Sequence, residues 1–539
     1  MGLHALGDTA WLFKVGGNDL EKKLELVLRL RRLIGLNRIP EIIDVVSSYD
    51  TIAVIFNPSD GELVFDHLTS LHLEEVDDHQ ALESFTITIP VVYGGEYGPD
   101  LIHIAEACQL TPNEFIECHR SAEYTVAALG FSPGFPYLSG LPKPLHQPRK
   151  SSPRRVAAGS VGIAGNQAGI YPFASQGGWH IIGRTDLKLF DVGRDDINLL
   201  HPGDKVRFVE LERLQEKDEP ESAIPQAAEG IRIIEPGALS SVQDHGRWGK
   251  QHLGVTHGGA ADPVQASIAN RLVGNPDAAA VIECTMTGPL LQFECEATLA
   301  WVGWAHENSG RRHLVKPGSR IDLRGRMCHL RGYIAVAGGI EVPKVLGSSA
   351  TDIRAGLGGH QGRALKHGDI LNIGQIETRE VPTSSRVGWP HPEGNLIELR
   401  YLRGMQSDWF SHEAKKLFSD RFFEISPASD RMGTLLKGPK LRLSEPREML
   451  SQPVVAGSIQ VKPEGSPIVL MTEHQTIGGY PQIGHVISAD IPKLARAWPG
   501  TRVHFREVSL KQARAAWAKL KRDLGILSVG LSNTIRSTS

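Results

Sequence analysis

Five short segments of this 539-residue chain concentrate the residue types that do chemistry. The first runs from His119-Arg120 through Tyr124 to Gly130-Phe-Ser-Pro-Gly-Phe-Pro-Tyr137. Its two X-Pro turns with Gly at fixed offsets make a rigid loop, and its aromatics can wall a pocket. A lone histidine such as His119 nevertheless serves packing more often than catalysis. The second segment, Gly159 to Thr185, sets Gln167, Tyr171, His180 and Arg184 among glycines. Such glycines let backbone N–H groups approach an anion, and they equally suit tight barrel corners. The third is Ser241-Val-Gln243-Asp244-His-Gly246-Arg247. A carboxylate between an amide and a guanidinium can position an amide substrate or act as a general base; an ion pair in a surface turn has the same sequence. Ser429-Asp430-Arg431-Met-Gly433 and Glu473-His474-Gln475-Thr-Ile-Gly478-Gly479 are polar clusters framed by glycine, which loop structure alone accounts for as readily.

Some familiar arrangements are missing. There is no GxxxxGK[ST], no GxGxxG within a strand-helix-strand unit, no GxSxG, no HExxH and no paired CxxC. The sequence therefore offers no standard nucleotide cradle, no serine-hydrolase elbow and no expected metal site.

The elements that must hold these segments are mostly strands. Gly (57) and Pro (33) are abundant and spread through the chain, as tight turns in a β-rich protein require. Hydrophobic residues at 41%, charged residues at 22% and a net charge of −3 exclude wholesale disorder and give no basic surface for nucleic acid. Five cysteines without a CxxC fit a reducing, cytoplasmic setting. No apolar run is long enough to span a membrane, and the first residues do not read as a secretory signal. At about 100–200 residues per domain, the length calls for several domains.

Residues 1–90 read as a small α+β domain of β-α-β-β-α-β order, compatible with a ferredoxin-like sheet. Asn18 is the expected cap of the helix that follows it, and 85–93 the expected closing strand. Thr111-Pro-Asn-Glu114 has the form of a capping box. Residues 91–210 then break into short apolar runs cut by Gly and Pro, the pattern of a β-barrel or sandwich. Residues 211–230 are charged and poor in apolar side chains and read as a linker. The β pattern resumes over 231–385 and 386–508. Residues 509–527 form a final amphipathic helix, with a frayed tail to 539.

The two halves also repeat. Ala158-Gly-Ser-Val-Gly-Ile leads to Pro202-Gly-Asp-Lys-Val-Arg-Phe, and Ala456-Gly-Ser-Ile-Gln-Val leads to Pro499-Gly-Thr-Arg-Val-His-Phe. Both stretches carry a Gly-Gly pair near the middle, Gly177-Gly178 and Gly478-Gly479. A shared barrel unit or a coincidence of turn chemistry produces such a match.

Taken together, these segments resemble a known pair of families. GFSPGFPYLSGLP (130–142), AAGSVGIAGNQAGIYP (157–172) and GGWHIIGRT (177–185) resemble the KipI, or allophanate hydrolase subunit 1, family, which is also the B component of 5-oxoprolinase. SVQDHGRWGKQHLGV (241–255), the stretch 333–365, SDRMG (429–433) and HQTIGGYPQIGHVISAD (474–490) resemble the KipA, or allophanate hydrolase subunit 2, family, its C component. The linker then reads as a fusion joint. The resemblance implies a mainly β chain: cyclophilin-like barrels duplicated across two fused halves, after the small α+β domain. It also implies kinship with the carboxyltransferase region of urea carboxylase.

The function implied is ATP-dependent hydrolysis of 5-oxo-L-proline to L-glutamate, with the LamB/YcsF-type A component of 5-oxoprolinase as partner and Mg²⁺ accompanying ATP. Carried over position by position, Asp244 is the candidate base or metal-side carboxylate, with Gln243 and Arg247 orienting the substrate. His119, Tyr124 and Tyr137 are expected at the pocket of the first half. Gln167, Tyr171, His180 and Arg184 are expected at the lactam or phosphate. Asp430, Arg431, His474 and Gln475 are expected to complete the second half, His119 and His474 as further catalytic candidates. A homo-oligomer stays open. So do two other readings: a biotin-dependent carboxyltransferase component acting on urea or a related amide, and a KipI/KipA-type regulator that inhibits a sensor histidine kinase.

Overall fold

The computed structural model describes residues 2–71, 84–150, 152, 154–214, 230–375, 387, 395–447 and 449–536. Most of the expected linker, 215–229, lies outside these, as do 376–386 and 388–394.

The N-terminal module is a four-stranded antiparallel sheet in the order Gly2–Leu6, Ala10–Lys14, Thr51–Phe56, Ile42–Ser48. Helices Leu20–Asn37 and Gly61–Ser70 accompany it. The first helix buries Leu24, Val27, Leu30, Leu33 and Ile34, one stripe at helical spacing. Its cap is Asp19 rather than Asn18, because the Asp19 carboxylate accepts from the N–H groups of Glu21 and Lys22. The expected closing strand, Thr86–Tyr93, is not in this sheet. It pairs in parallel with Lys205–Glu210, and there Ile89 and Val91 are fully buried in a barrel. The N-terminal strand Gly2–Leu6 takes the free edge instead, so a boundary at residue 90 would cut a barrel strand.

That barrel is closed and has seven strands, in the cyclic order Thr86–Tyr93, His180–Arg184, Ser160–Ala164, Gln167–Ile170, Pro136–Ser139, Tyr124–Leu129, Lys205–Glu210. A second closed barrel runs Leu396–Arg403, Gln482–Val486, Ser458–Val461, Pro467–Leu470, Gly433–Lys437, Phe423–Ile425, Arg502–Glu507. The two orders correspond strand for strand. In each, the first and last strands make a parallel pair. Each barrel also has a small two-stranded flap, Arg154–Val156 with Ser175–Gly177 and Gln452–Pro453 with Ile477–Gly478. The repeat is therefore a duplicated barrel, and the expected cyclophilin-like barrels fit it. Its signature glycines are obligatory at one corner. Gly159 (φ +79°) and Gly457 (φ +89°) sit where an added Cβ would lie 2.1 and 2.4 Å from the carbonyl oxygens of Thr185 and Val486.

Between the barrels in sequence lies a two-sheet sandwich. One sheet centres on Ile231–Glu235 and the other on Arg331–Val336. Ile231, Ile233, Leu291 and Leu371 of the first meet Val242, Ile282, Leu299 and Ile334 of the second in one core. Helix Pro263–Leu272 covers the outer face of the second sheet, and the final helix packs over it through Leu524 and Leu531. That helix runs Leu510–Arg536, beyond the frayed end expected at 528. The capping box at Thr111 and Glu114 is present as expected. Among the described residues, no helix is long and apolar enough to cross a membrane.

The halves interlock. Leu12, Val46 and Ala53 of the N-terminal sheet, Phe135 and Trp179 of the first barrel, and Val455 and Ile477 of the second share one apolar cluster. Polar clasps close its edge. Ser48 donates to the Ser451 carbonyl at 2.6 Å. The buried Asp44 carboxylate accepts from the N–H of Gln251 at 2.6 Å and pairs with His252 Nδ1 at 2.8 Å.

Burial alone would raise the Asp44 pKa, but the hydrogen bonds and charge of His252 with nearby N–H groups bring it below the ordinary carboxylate value. A carboxylate depressed on folding stabilises the fold above its unfolded pKa, and the contribution is lost as pH falls through the folded value. Asp44→Asn should therefore cost about 2 kcal/mol at pH 7. The gap between wild type and variant should close in the acid range below about pH 4. Denaturant titrations of both proteins at the two pH values check this; an equal gap at both would refute it.

Candidate active site

Loops from both halves meet in one narrow cleft of about 50 Å³. Phe131, Ser132 and Phe173 form the wall from the first half. Thr256, Asp352, Arg354 and the run 473–475 form the wall from the second. The walls are pinned together where the Gly134 N–H donates to the Leu253 carbonyl at 2.9 Å.

Beneath the cleft lies a buried ion cluster. Arg431 Nε donates to Glu473 at 2.5 Å, its Nη1 to Glu283, and its Nη2 to the Gly259 carbonyl at 2.6 Å. Glu283 also accepts from the Tyr333 hydroxyl and the Ala261 N–H, each at 2.8 Å. Burial works against the Arg431 charge, but the two carboxylates more than offset it and hold the guanidinium protonated. Burial, helped by the charges of Asp352 and Glu283, outweighs the pull of Arg431 and leaves Glu473 above the ordinary carboxylate range.

His474 follows directly. Its Nδ1 lies 2.6 Å from the Gln475 carbonyl, which only accepts, so Nδ1 carries the hydrogen and Nε2 keeps the lone pair. Among the described residues, nothing hydrogen-bonds to that buried Nε2. Burial pushes the His474 pKa down to about 4, so the ring is neutral at pH 7. His257 lies beside it, the ring centroids 5.8 Å apart, and stacks on Trp248 at 4.8 Å. Burial, helped by His474 and Arg431, lowers its pKa to about 3.

The residues singled out by sequence divide into groups. Arg431, His474 and Gln475 come together here. Asp244 is near but is not a free base. Its carboxylate accepts from the Gly246 N–H at 2.7 Å and from the Ser348 hydroxyl and Ser349 N–H at 2.6 Å each. Gln243 donates to the Thr351 carbonyl at 3.2 Å, and Arg247 donates to the carbonyls of Val345 and Ala350. This trio fastens the 345–352 loop that carries Asp352 into the cleft, so its role is positioning. Tyr137 and Tyr171 pack with Phe135 behind the Phe131 wall. Asp430 folds its own turn, accepting from the N–H groups of Met432 and Gly433.

Five residues stand apart from the cleft. His119 is sealed in the first barrel, its Nδ1 2.9 Å from the Tyr93 hydroxyl and its ring against Phe208. Burial lowers its pKa to about 3, and the Tyr124 hydroxyl caps its carbonyl. Both are core residues. His180 is tied to the Pro148 carbonyl, and Arg184 donates to that of Ala158. Gln167 lines a different, larger cleft.

Sequence reasoning missed Glu283, His257, Asp352 and Arg354. The sequence carries no signal for Glu283, whose partner Arg431 lies 148 residues away.

Comparison with known proteins accounts for this two-walled site. Residues 1–200 match the family described as carboxyltransferase domain, subdomain C and D, and residues 253–507 match subdomain A and B. The C component of the 5-oxoprolinase of Escherichia coli K12 is 38% identical over 303 residues, 53% of this chain and 94% of that protein. The B component of the 5-oxoprolinase of E. coli O157:H7 is 44% identical over 211 residues, 38% of this chain and 94% of that protein. The crystal structure of TTHA0988 superposes with a TM-score of 0.80 at 33% identity, covering 92% of this chain and 99% of that one. The chain belongs to the carboxyltransferase-domain family. Its C/D region supplies the Phe131 and Phe173 wall and its A/B region the His474 wall. The two E. coli relatives each correspond to one region, and here the regions are joined in one chain.

Removing Arg431 from this carboxyltransferase-domain site would leave the buried Glu473 without its guanidinium partner and Glu283 with only Arg331, 3.7 Å away. Arg431→Met should destabilise the protein by about 3–5 kcal/mol. Glu473→Gln, which leaves the Arg431–Glu283 pair in place, should cost clearly less. Thermal unfolding of both variants tests the order, and the reverse order would refute it.

Proposed function

We propose that this chain is the fused B and C component of an ATP-dependent 5-oxoprolinase, acting with a LamB/YcsF-type A component to open 5-oxo-L-proline to L-glutamate. The observation that carries the reading is the cleft itself. Relatives named as the B and C components of 5-oxoprolinase match the two halves separately, and loops from both halves enclose the unpartnered, neutral imidazole nitrogen of His474.

The chemistry follows from the substrate. A lactam carbonyl is a poor electrophile. Attack of its oxygen on the γ-phosphorus of ATP forms an O–P bond and breaks the bond to ADP. The lactam N–H proton moves to His474 Nε2, leaving a cyclic imidate whose ring nitrogen is neutral and whose phosphate keeps its negative charge. Water then adds to the activated carbon, and collapse of the adduct breaks the C–N bond, the amine taking up the proton held by His474, to give γ-glutamyl phosphate. A second water hydrolyses this acyl phosphate to glutamate and phosphate. His474 suits the proton step because burial keeps its lone pair free at neutral pH, and the Gln475 carbonyl fixes the tautomer. Arg354 places positive charge near oxygen that gains negative charge. Among the described residues, no group of three or more His, Cys, Asp or Glu is arranged for a metal ion. In this reading Mg²⁺ therefore arrives on the nucleotide, where it neutralises phosphate charge.

The decisive assay mixes the purified chain with the LamB/YcsF-type component, ATP, Mg²⁺ and 5-oxoproline and follows glutamate and ADP, omitting each protein in turn. Glutamate formed only with both proteins is the expected result; none under any combination refutes the reading. His474→Asn retains an N–H for the Gln475 carbonyl and removes Nε2, and should lower turnover about 10²–10⁴-fold with the fold intact. A base with a lowered pKa stays active to lower pH than an ordinary histidine. Turnover should therefore stay level from neutral pH towards 5 and fall as pH nears 4. A fall centred near 6.5, the ordinary histidine value, would exclude His474 as the base.

A further inference from the structure

A second and larger cleft, about 1140 Å³ in volume, also lies between the halves. Its floor is apolar, built on Phe410, Leu441 and Leu443. Its rim carries Arg149 from the first half and Arg442 and Lys462 from the second, with the single carboxylate Glu464 outside the Arg447–Glu445 pair. Among the described residues none of these three pairs with a carboxylate, whereas Arg447 on the same rim is paired with Glu445. Arg149 lies against Gly479, where an added Cβ would stand 3.5 Å from its guanidinium.

Two further features mark a ligand site rather than a gap. Gln167 lines this cleft, is 7% exposed, and its buried amide oxygen has no partner. The wall is also shared with the His474 cleft. One loop of the second barrel lines the narrow cleft at 473–475 and the larger one at 479–481. The first barrel does the same with 165–167 in the larger cleft and 173–175 in the narrow one.

We propose that the larger cleft binds the nucleoside triphosphate, with Arg149, Arg442 and Lys462 on the triphosphate and the apolar floor under the base. Ligand pockets run to about 1,000 Å³, so at about 1140 Å³ this cleft has the volume for a nucleotide. Three cations without carboxylate partners suit a polyanion, and the Gln167 amide is placed to hydrogen-bond the base or sugar. The assignment rests on the ATP-dependent reading above and adds the location of the nucleotide.

Calorimetric titration of the full chain with Mg²⁺ and AMP-PNP, alone and with the LamB/YcsF-type component, tests it beside the glutamate assay. The proteins are wild type, His474→Asn and the double variant Arg149→Ala/Arg442→Ala, whose changes are both at exposed residues. Wild type and His474→Asn should bind alike. The double variant should bind about 100-fold more weakly, since two charge-assisted contacts are lost. Inorganic tripolyphosphate should bind wild type more weakly than AMP-PNP, because it leaves the floor unused. Unchanged AMP-PNP binding by the double variant overturns the proposal, as does absence of binding in a mixture that makes glutamate. Equal affinity for tripolyphosphate overturns the placement of the base. Loss of binding in the double variant, in a system that makes no glutamate, supports the site and counts only against the oxoprolinase reading.

Discussion

Arg431 is the point on which the arrangement of the second half turns. Its guanidinium is buried and reaches three modules of chain at once: Glu473 on a barrel loop, Glu283 in the sandwich, and the Gly259 carbonyl before the helix that covers it. A buried charge is tolerable only when its donors are met by acceptors in good geometry. That requirement fixes where the second barrel sits against the sandwich. It also fixes Glu473, and with it the neighbouring His474. The clasp at Asp44 does similar service between the halves, holding the N-terminal sheet on the 250–254 turn from which Thr256 enters the cleft.

Duplication supplied the frame, and the two barrels diverge at matched positions. Three residues after the corner glycine, the first barrel has Gly162 and the second has Gln460. In the first, the missing side chain leaves Trp179 close by, 3.3 Å from where a Cβ would stand. In the second, Gln460 and its neighbours Gln452 and Gln482 line the same end with buried amides. At this position one barrel thus packs an aromatic side chain and the other buried amides.

The two histidines illustrate how burial selects a protonation state. His474 and His119 both have pKa values lowered by desolvation, to about 4 and about 3. The shift alone does not separate a base from a packing residue. His119 donates or accepts within a sealed aromatic core beside Tyr93 and Phe208, whereas His474 borders a cleft. Position relative to open space makes the difference, and no sequence motif encodes it.

Much of the fold was legible in the sequence. Glycine and proline punctuation gave the β-rich class, the capping box gave a helix start at Thr111, and paired Ala-Gly-Ser and Pro-Gly signatures gave the duplicated barrel. These are local signals: a turn that needs positive φ, or an N–H that needs a cap, is specified within a few residues. The motif bearing His474 and Gln475 was legible for the same reason. What sequence could not decide was every property set by distant partners. Thr86–Tyr93 reads as a strand anywhere, and only its parallel pairing with 205–210 assigns it to the barrel. Asp244 reads as a base until Ser348 and Ser349, more than a hundred residues away, occupy its oxygens. Glu283 reads as an ordinary strand residue until Arg431 meets it. Local backbone chemistry is written in neighbouring residues, but burial and hydrogen-bond satisfaction depend on which remote segments the folded chain brings together.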